Sequence, residues 1–508
     1  MKKTLIVTVS ALALATVGTP AVAQHAHMPG MEMPAKPKPK AKAPAQKAAS
    51  KKASIKTAVT KPKTPAAKKK AAPKPTHVAP KKTATAPKPA PVGEPVPMPM
   101  PIPMDHSQVD HGQMESPGHA GHGMAMSGAL GSYPMERESS GTAWQPDRSE
   151  HQGLHITRGD WSLMGHGVLN LVADHQSGRR GDDKVFASGM LMGTARRPVG
   201  NGTLQFKAMV SPDPLMGKSG YPLLLASGET ANGTDRLIDR QHPHDFFMEL
   251  SGSISQNIGS KSSAFLYAGL PGEPAFGPPA FMHREAILDS PEAPITHHWL
   301  DSTHITFGVV TAGLVLDRAK VEVSRFNARE PDQHRWNIET GPLDSTSVRV
   351  SWNPVRTLAL QGSWGHFVDP EQLEPGETQR RWSASALWAD EIAPGWKLAG
   401  TLVWGRKNAH GHKDDAYAAE ASLKHASWTV FGRGEIIENR ELIDIEHAPM
   451  FRVGKLSAGV VRDFRIAEHL TLGAGGLLSV NFVPDGLAPL YGGKTPTGAM
   501  GFLRLKLD

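Results

Sequence analysis

The sequence predicts an all-β protein: a transmembrane antiparallel β-barrel of about 16 strands, give or take two, behind a disordered Lys/Pro/Ala-rich arm. Three observations predict it. From about residue 160 onward, apolar and polar residues alternate with period two. Such segments, most about ten residues long, recur to the end of the chain. Tight connections such as "NPVRT" (353–357) and "IAPGW" (392–396) interleave with longer polar loops such as "DPEQLEPGETQ" (369–379).

The elements follow in chain order. Lys2 and Lys3 precede a short apolar run, Leu5 to Val17, and the small-x-small site Ala21-Val22-Ala23. This is a secretory signal over residues 1–23, cleaved before Gln24. Residues 24–97 form the arm. Residues 25–100 hold 17 Lys against two acids, Glu32 and Glu94, while the whole chain carries only +8, so the remainder is acidic. Lys, Pro, Ala and Thr cannot build a core, and frequent Pro with repelling charge keeps such a chain extended. The signal takes the arm out of the cytoplasm, which excludes nucleic acid as its partner. Peptidoglycan, lipopolysaccharide or a periplasmic copper protein remain as partners for a periplasmic arm, beside a mere spacer role.

Residues 98–155 form a flexible segment biased toward methionine and histidine: Met98, Met100, Met104, His106, His111, Met114, His119, His122, Met124 and Met126. Their neighbours are Pro, Gly, Asp and Gln, which do not pack a core. Thioether sulfur is soft and prefers Cu(I), whereas imidazole takes Cu(II) and other late transition metals. The segment is therefore a candidate copper ligand, with copper as bound ion rather than catalytic cofactor. "MDHSQVDHGQM" resembles the Met-Asp-His repeats of the N-terminal regions of bacterial copper resistance protein B.

Residues 156–508 are the barrel. "SVRVSWN" sets Val348, Val350 and Trp352 against Arg349, Ser351 and Asn353. "SWTVFGRGEI" aligns Trp428, Val430 and Ile436, with Thr429, Arg433 and Glu435 opposite. One face suits lipid and the other a polar lumen, and ten tilted residues cross a bilayer. Closure pairs every backbone group, as hydrocarbon demands. The body is thus expected among outer-membrane lipids. The terminal Leu507-Asp508 departs from the aromatic ending common in such barrels. The chain has no Cys, which removes disulfides, thiolate metal sites and thiol nucleophiles.

Two histidine clusters stand out within the barrel. In "DRQHPHDFFMEL", Pro243 interrupts a ladder, so His242 and His244 belong at a strand mouth or in a loop, before a strand running from Phe246 to Ile258. In "THHWLDSTHITFGVV", alternation from about residue 303 places Ile305, Phe307 and Val309 outward and His298, Ser302, His304 and Thr306 inward. His242, His244, His298 and His304 are therefore candidate metal contacts or plain lumen lining. An H-x-H pair also occurs in metal-dependent hydrolases, but the amphipathic helices of their (β/α)₈ scaffold are absent from the pattern, so no enzyme is expected.

"LIDRQHPHDFFMELS", "GEPAFGPPAFMHREAILDSPEAPITHHWLDSTHITFGVVTAG" and "FNAREPD" resemble a family of uncharacterised proteobacterial outer-membrane proteins, over roughly residues 155–505. Its members are described as porin-like or as associated with copper-resistance loci. The resemblance implies a barrel in the outer membrane, and copper only by association. The expectation is an outer-membrane barrel that binds or passes copper and contributes to copper tolerance. The alternatives are a general porin-like channel with incidental histidines and, third, a periplasmic metal-dependent hydrolase.

Overall fold

The structure, a computed structural model, describes residues 127–150, 153–445 and 448–507. The signal, the arm and the ten methionines and histidines of 98–126 lie outside the described residues. In chain order the strands are β1 (Leu154–Arg158), β2 (Trp161–Gln176), β3 (Asp183–Val199), β4 (Gly202–Val210), β5 (Tyr221–Thr230), β6 (Arg236–Gln241), β7 (Phe247–Gly259) and β8 (Ser262–Gly269). They continue with β9 (Val309–Leu316), β10 (Ala319–Phe326), β11 (Ser345–Val355), β12 (Leu358–Val368), β13 (Thr378–Ala393) and β14 (Trp396–Ala409). The last are β15 (His412–His425), β16 (Trp428–Asn439), β17 (Phe451–Ala467), β18 (Leu470–Phe482) and β19 (Thr497–Leu507).

Sixteen of these strands close a barrel: β2, β3, β4 and β7 to β19 pair in that order, each antiparallel to the next, and β19 pairs back onto β2. The closing ladder runs from Gly498 opposite Gln176 to Leu507 opposite Gly167. β1 takes over the edge of β2 beyond that point, with Leu154 opposite Gly165 and Arg158 opposite Trp161. The expected architecture and strand number are both observed. No described helix is long and apolar enough to cross a membrane, and the crossing is made by strands.

The wall's outer face is apolar. Leu169, Leu266, Leu402, Val430, Leu456, Leu478 and Leu503 are all exposed there. Trp352, Trp396 and Trp428 are exposed close to two-residue turns, at 356–357, 394–395 and 426–427. An apolar band flanked by aromatic side chains is the surface of an outer-membrane type of barrel that lies in lipid. The β3–β4, β7–β8, β9–β10, β11–β12, β13–β14, β15–β16 and β17–β18 hairpins all turn at one end, which also carries the end of β19. Short turns mark the periplasmic end of such barrels. The long connections, 211–246, 270–308 and 327–344, lie at the other end.

The lumen is packed with two of those connections. Arg284 of segment 270–308 is fully buried and forks onto Glu420 of β15, at 2.7 and 2.6 Å, while also reaching Asp301 at 2.6 Å. Glu292 meets Lys455 of β17 and Arg433 of β16. Glu435 of β16 accepts from the backbone and hydroxyl of Thr296. Segment 211–246, which carries the β5–β6 hairpin, supplies the buried Leu223, Leu224 and Leu225. The inward charges predicted from alternation are thus ion-paired to plugging loops, which satisfies groups that burial would otherwise penalise.

Residues 127–150 differ from the expected flexible segment. Leu130, Tyr133 and Trp144 are buried with Phe265 and Val315 of the wall, and Arg137 pairs with Asp147 at 2.7 and 2.9 Å. Asn353 of β11 donates to Gln145 O and to Asp147. Leu, Tyr, Trp and Arg, all absent from 98–126, appear here, and they give the chain something to bury.

Candidate metal centre

Five histidines meet inside the barrel. His242 and His244 follow β6, where Pro243 ends the ladder as expected, and β7 begins at Phe247. The second cluster departs from expectation. Residues 297–304 are not strand: His297–Leu300 forms a helical turn, α1, and Ser302–His304 a tighter one. β9 begins only at Val309, and Ile305, Phe307 and Val309 are buried rather than outward; Val310, Leu314 and Leu316 face lipid. The packed loop overrides the alternation because its apolar residues are covered by the lumen instead of by lipid.

This change of conformation decides which histidines converge. His244, His297 and His304 each offer a ring nitrogen, and these three atoms lie within 4.8 Å of one another, all buried. The ring centroids of His244 and His304 are 5.1 Å apart, as are those of His297 and His304. An ion bonded to nitrogen at about 2.0–2.1 Å would draw the three closer by roughly an ångström, a matter of small ring rotations. Sequence reasoning missed His297, because strand alternation sets it opposite His298. The spacing in "HHWLD" could have found it, since His297 and Asp301 are four residues apart on one helical turn.

Each of the three rings is held from behind. His244 Nδ1 lies 2.9 Å from Asp213 Oδ2, His297 Nδ1 lies 2.7 Å from Asp301 Oδ1, and His304 Nδ1 lies 2.7 Å from the Asp301 carbonyl. With Nδ1 so engaged, Nε2 is left as the free coordinating atom. His244 Nε2 and His304 Nε2 are buried and have no hydrogen-bond partner. A buried acceptor without a partner is costly, and bonding to an ion would satisfy it. Burial, with the neighbouring imidazoles, holds His304 well below its ordinary pKa. Burial likewise outweighs Asp301 and lowers His297, so both shifts favour the neutral form that binds metal. Burial works to raise the Asp301 carboxyl, but Arg284 and His297 outweigh it and keep the group ionised.

His242 and His298 form an outer pair, with ring centroids 5.5 Å apart. His242 Nδ1 lies 3.2 Å from Glu229 and His298 Nδ1 lies 3.3 Å from Glu330. Gly228, with φ +119, lets the backbone pass so close that a Cβ there would lie 2.7 Å from the His298 ring. Phe281 fills the space beside the inner three, with ring centroids 6.1, 5.6 and 6.3 Å from His244, His297 and His304. Of the four barrel histidines singled out in the sequence, His244 and His304 enter the three-ring centre, and His242 and His298 flank it.

No family model matches the chain, and no curated protein matches it. Solved structures similar to it include OmpF of Salmonella typhi in complex with daunomycin, at 9% identity over 70% of this chain and 100% of that one, with a TM-score of 0.45. OprB of Pseudomonas putida is 12% identical over 68% of this chain and 94% of that one, with a TM-score of 0.45. An anion-selective porin from Comamonas acidovorans is 12% identical over 68% and 99%, with a TM-score of 0.39.

Proposed function

We propose that this outer-membrane barrel binds a late transition metal at His244, His297 and His304, and that it takes part in copper handling and copper tolerance. The observation that carries the reading is the set of three convergent imidazoles, each held through Nδ1 by an oxygen acceptor, two of them with a buried, unpartnered Nε2. Neutral imidazole suits Cu(II) and Zn(II). The thioether and imidazole composition of 98–126 favours copper, captured first by the ligands of that segment. The role is to hold the ion rather than to turn over a substrate, because Phe281 occupies the space beside the rings.

A porin-like channel is the second reading, and the closed sixteen-strand wall favours it. The two readings share the wall and divide at the lumen.

The test is metal stoichiometry in the purified full chain. Copper or zinc bound by the wild type should fall by one equivalent in His244→Ala/His304→Ala, and copper should fall further when residues 98–126 are deleted. An unchanged load in the histidine variant overturns the metal centre. Bilayer conductance that is large and indifferent to copper favours the channel.

A further inference from the structure

A second chemistry lines the lumen on another part of the wall. Met164 and His166 of β2, Met190 and Met192 of β3, and Met209 of β4 share the inner face of three adjacent strands. Met192 stands opposite His166 on one side and opposite Met209 on the other. Met164, Met190, Met192, Met209 and Met248 form one buried cluster, whose other buried members are Ile305 and Phe307, and Met282 packs against it. The residue after Met282 is His283, whose ring centroid lies 6.4 Å from that of His166. His283 Nε2 is buried without a hydrogen-bond partner. A cavity of about 150 Å³ runs past them, with Met164, His166, Met190, Met192 and His283 in its lining together with charged groups such as Lys207, Glu285 and Arg504.

Methionine often serves as adaptable core filler. Filler accounts for neither the void nor the imidazole. A well-packed core leaves few spaces larger than a water, and a buried nitrogen without a partner is costly. Thioether sulfur is a weak hydrogen-bond acceptor and a good ligand for soft, low-charge ions. Buried sulfur with one imidazole as the ligand atoms favours soft monovalent ions over hard divalent ones.

We propose that Met164, Met190, Met192 and His283 form a binding site for a soft monovalent metal ion, Cu(I) or its redox-silent analogue Ag(I). The site uses none of the residues of the three-histidine centre and stands whether or not that centre holds metal. It gives the lumen two sites of different softness, imidazole for the divalent ion and thioether for the monovalent one.

The experiment measures Ag(I) retained by the full chain in detergent after desalting against millimolar free methionine. Met190→Leu/Met192→Leu keeps volume and apolarity and should lose one equivalent, as should His283→Phe. The 98–126 ligands are present in every variant and contribute equally. His244→Ala/His304→Ala should keep the full Ag(I) load while losing divalent metal, which separates the two sites. If His283→Phe and the double methionine variant both retain the wild-type Ag(I) load, the proposal is overturned. Heat-modifiable gel mobility reports folding, and His283→Phe alone decides the outcome should the double variant not fold.

Discussion

His244 Nδ1 lies 2.9 Å from Asp213 Oδ2, although 31 residues separate the two, and the His244 Nε2 so turned inward is buried without a partner. Asp213 follows β4 and His244 precedes β7, the two strands that pair across the long plugging segment. Asp213→Asn keeps the shape and removes the charge that supports the ring. Loss of such a support typically weakens metal binding about 10–100-fold. A competition titration with Zn(II) or Cu(II) checks this, and affinity equal to wild type would count against Asp213 as the orienting group.

Arg284 is the tie between plug and wall. It is fully buried between Glu420 of β15 and Asp301, the residue that also holds His297 and His304. Arg284→Met leaves two buried carboxylates uncompensated, and breaking a buried pair costs about 3–5 kcal/mol. The variant should unfold at lower urea than wild type and should lose metal affinity through Asp301. Its single-channel conductance in planar bilayers should rise as the plug loosens; a closed trace would show that other ties hold the loops.

Leu402 sits mid-strand on the lipid face of β14, 64% exposed to what is hydrocarbon in the membrane. Leu402→Arg should destabilise the barrel by about 2–4 kcal/mol in lipid vesicles. In water-soluble proteins an exposed leucine accepts arginine with little cost. Equal stability of the variant in vesicles would argue against the membrane face.

Glu273 gives the stability of the barrel a pH dependence. Burial raises its carboxyl from 4.5 to about 7, against the pull of Arg349. The native state therefore holds this proton more tightly than the unfolded chain does. Its contribution is complete below the unfolded value of 4.5 and is lost as pH rises through about 7. Glu273→Gln, a neutral mimic, should flatten the fall in unfolding midpoint between pH 5 and pH 8. An identical slope in the two proteins would remove Glu273 as its source.

Sequence by itself determined the wall. Strand starts near residues 161, 202, 262 and 319 were readable because a lipid-facing strand must alternate and because turns at one end of the barrel take two residues. Pro243 marked the end of a ladder for the same local reason, a missing donor. The same logic failed at residues 297–309, where the apolar residues are covered by plug and lumen, so that alternation carries no information about facing. Only the tertiary structure exchanged His298 for His297 in the inner centre, brought Asp213 behind His244, and set methionines of β2 and β3 around one cavity with His283. These pairings depend on a loop folding back into a closed cylinder, and local periodicity does not encode which points of such a loop will touch. The loop-filled lumen is likewise a tertiary fact. Its inward charges read as pore lining in the sequence, and the loops that neutralise them come from distant segments of the chain.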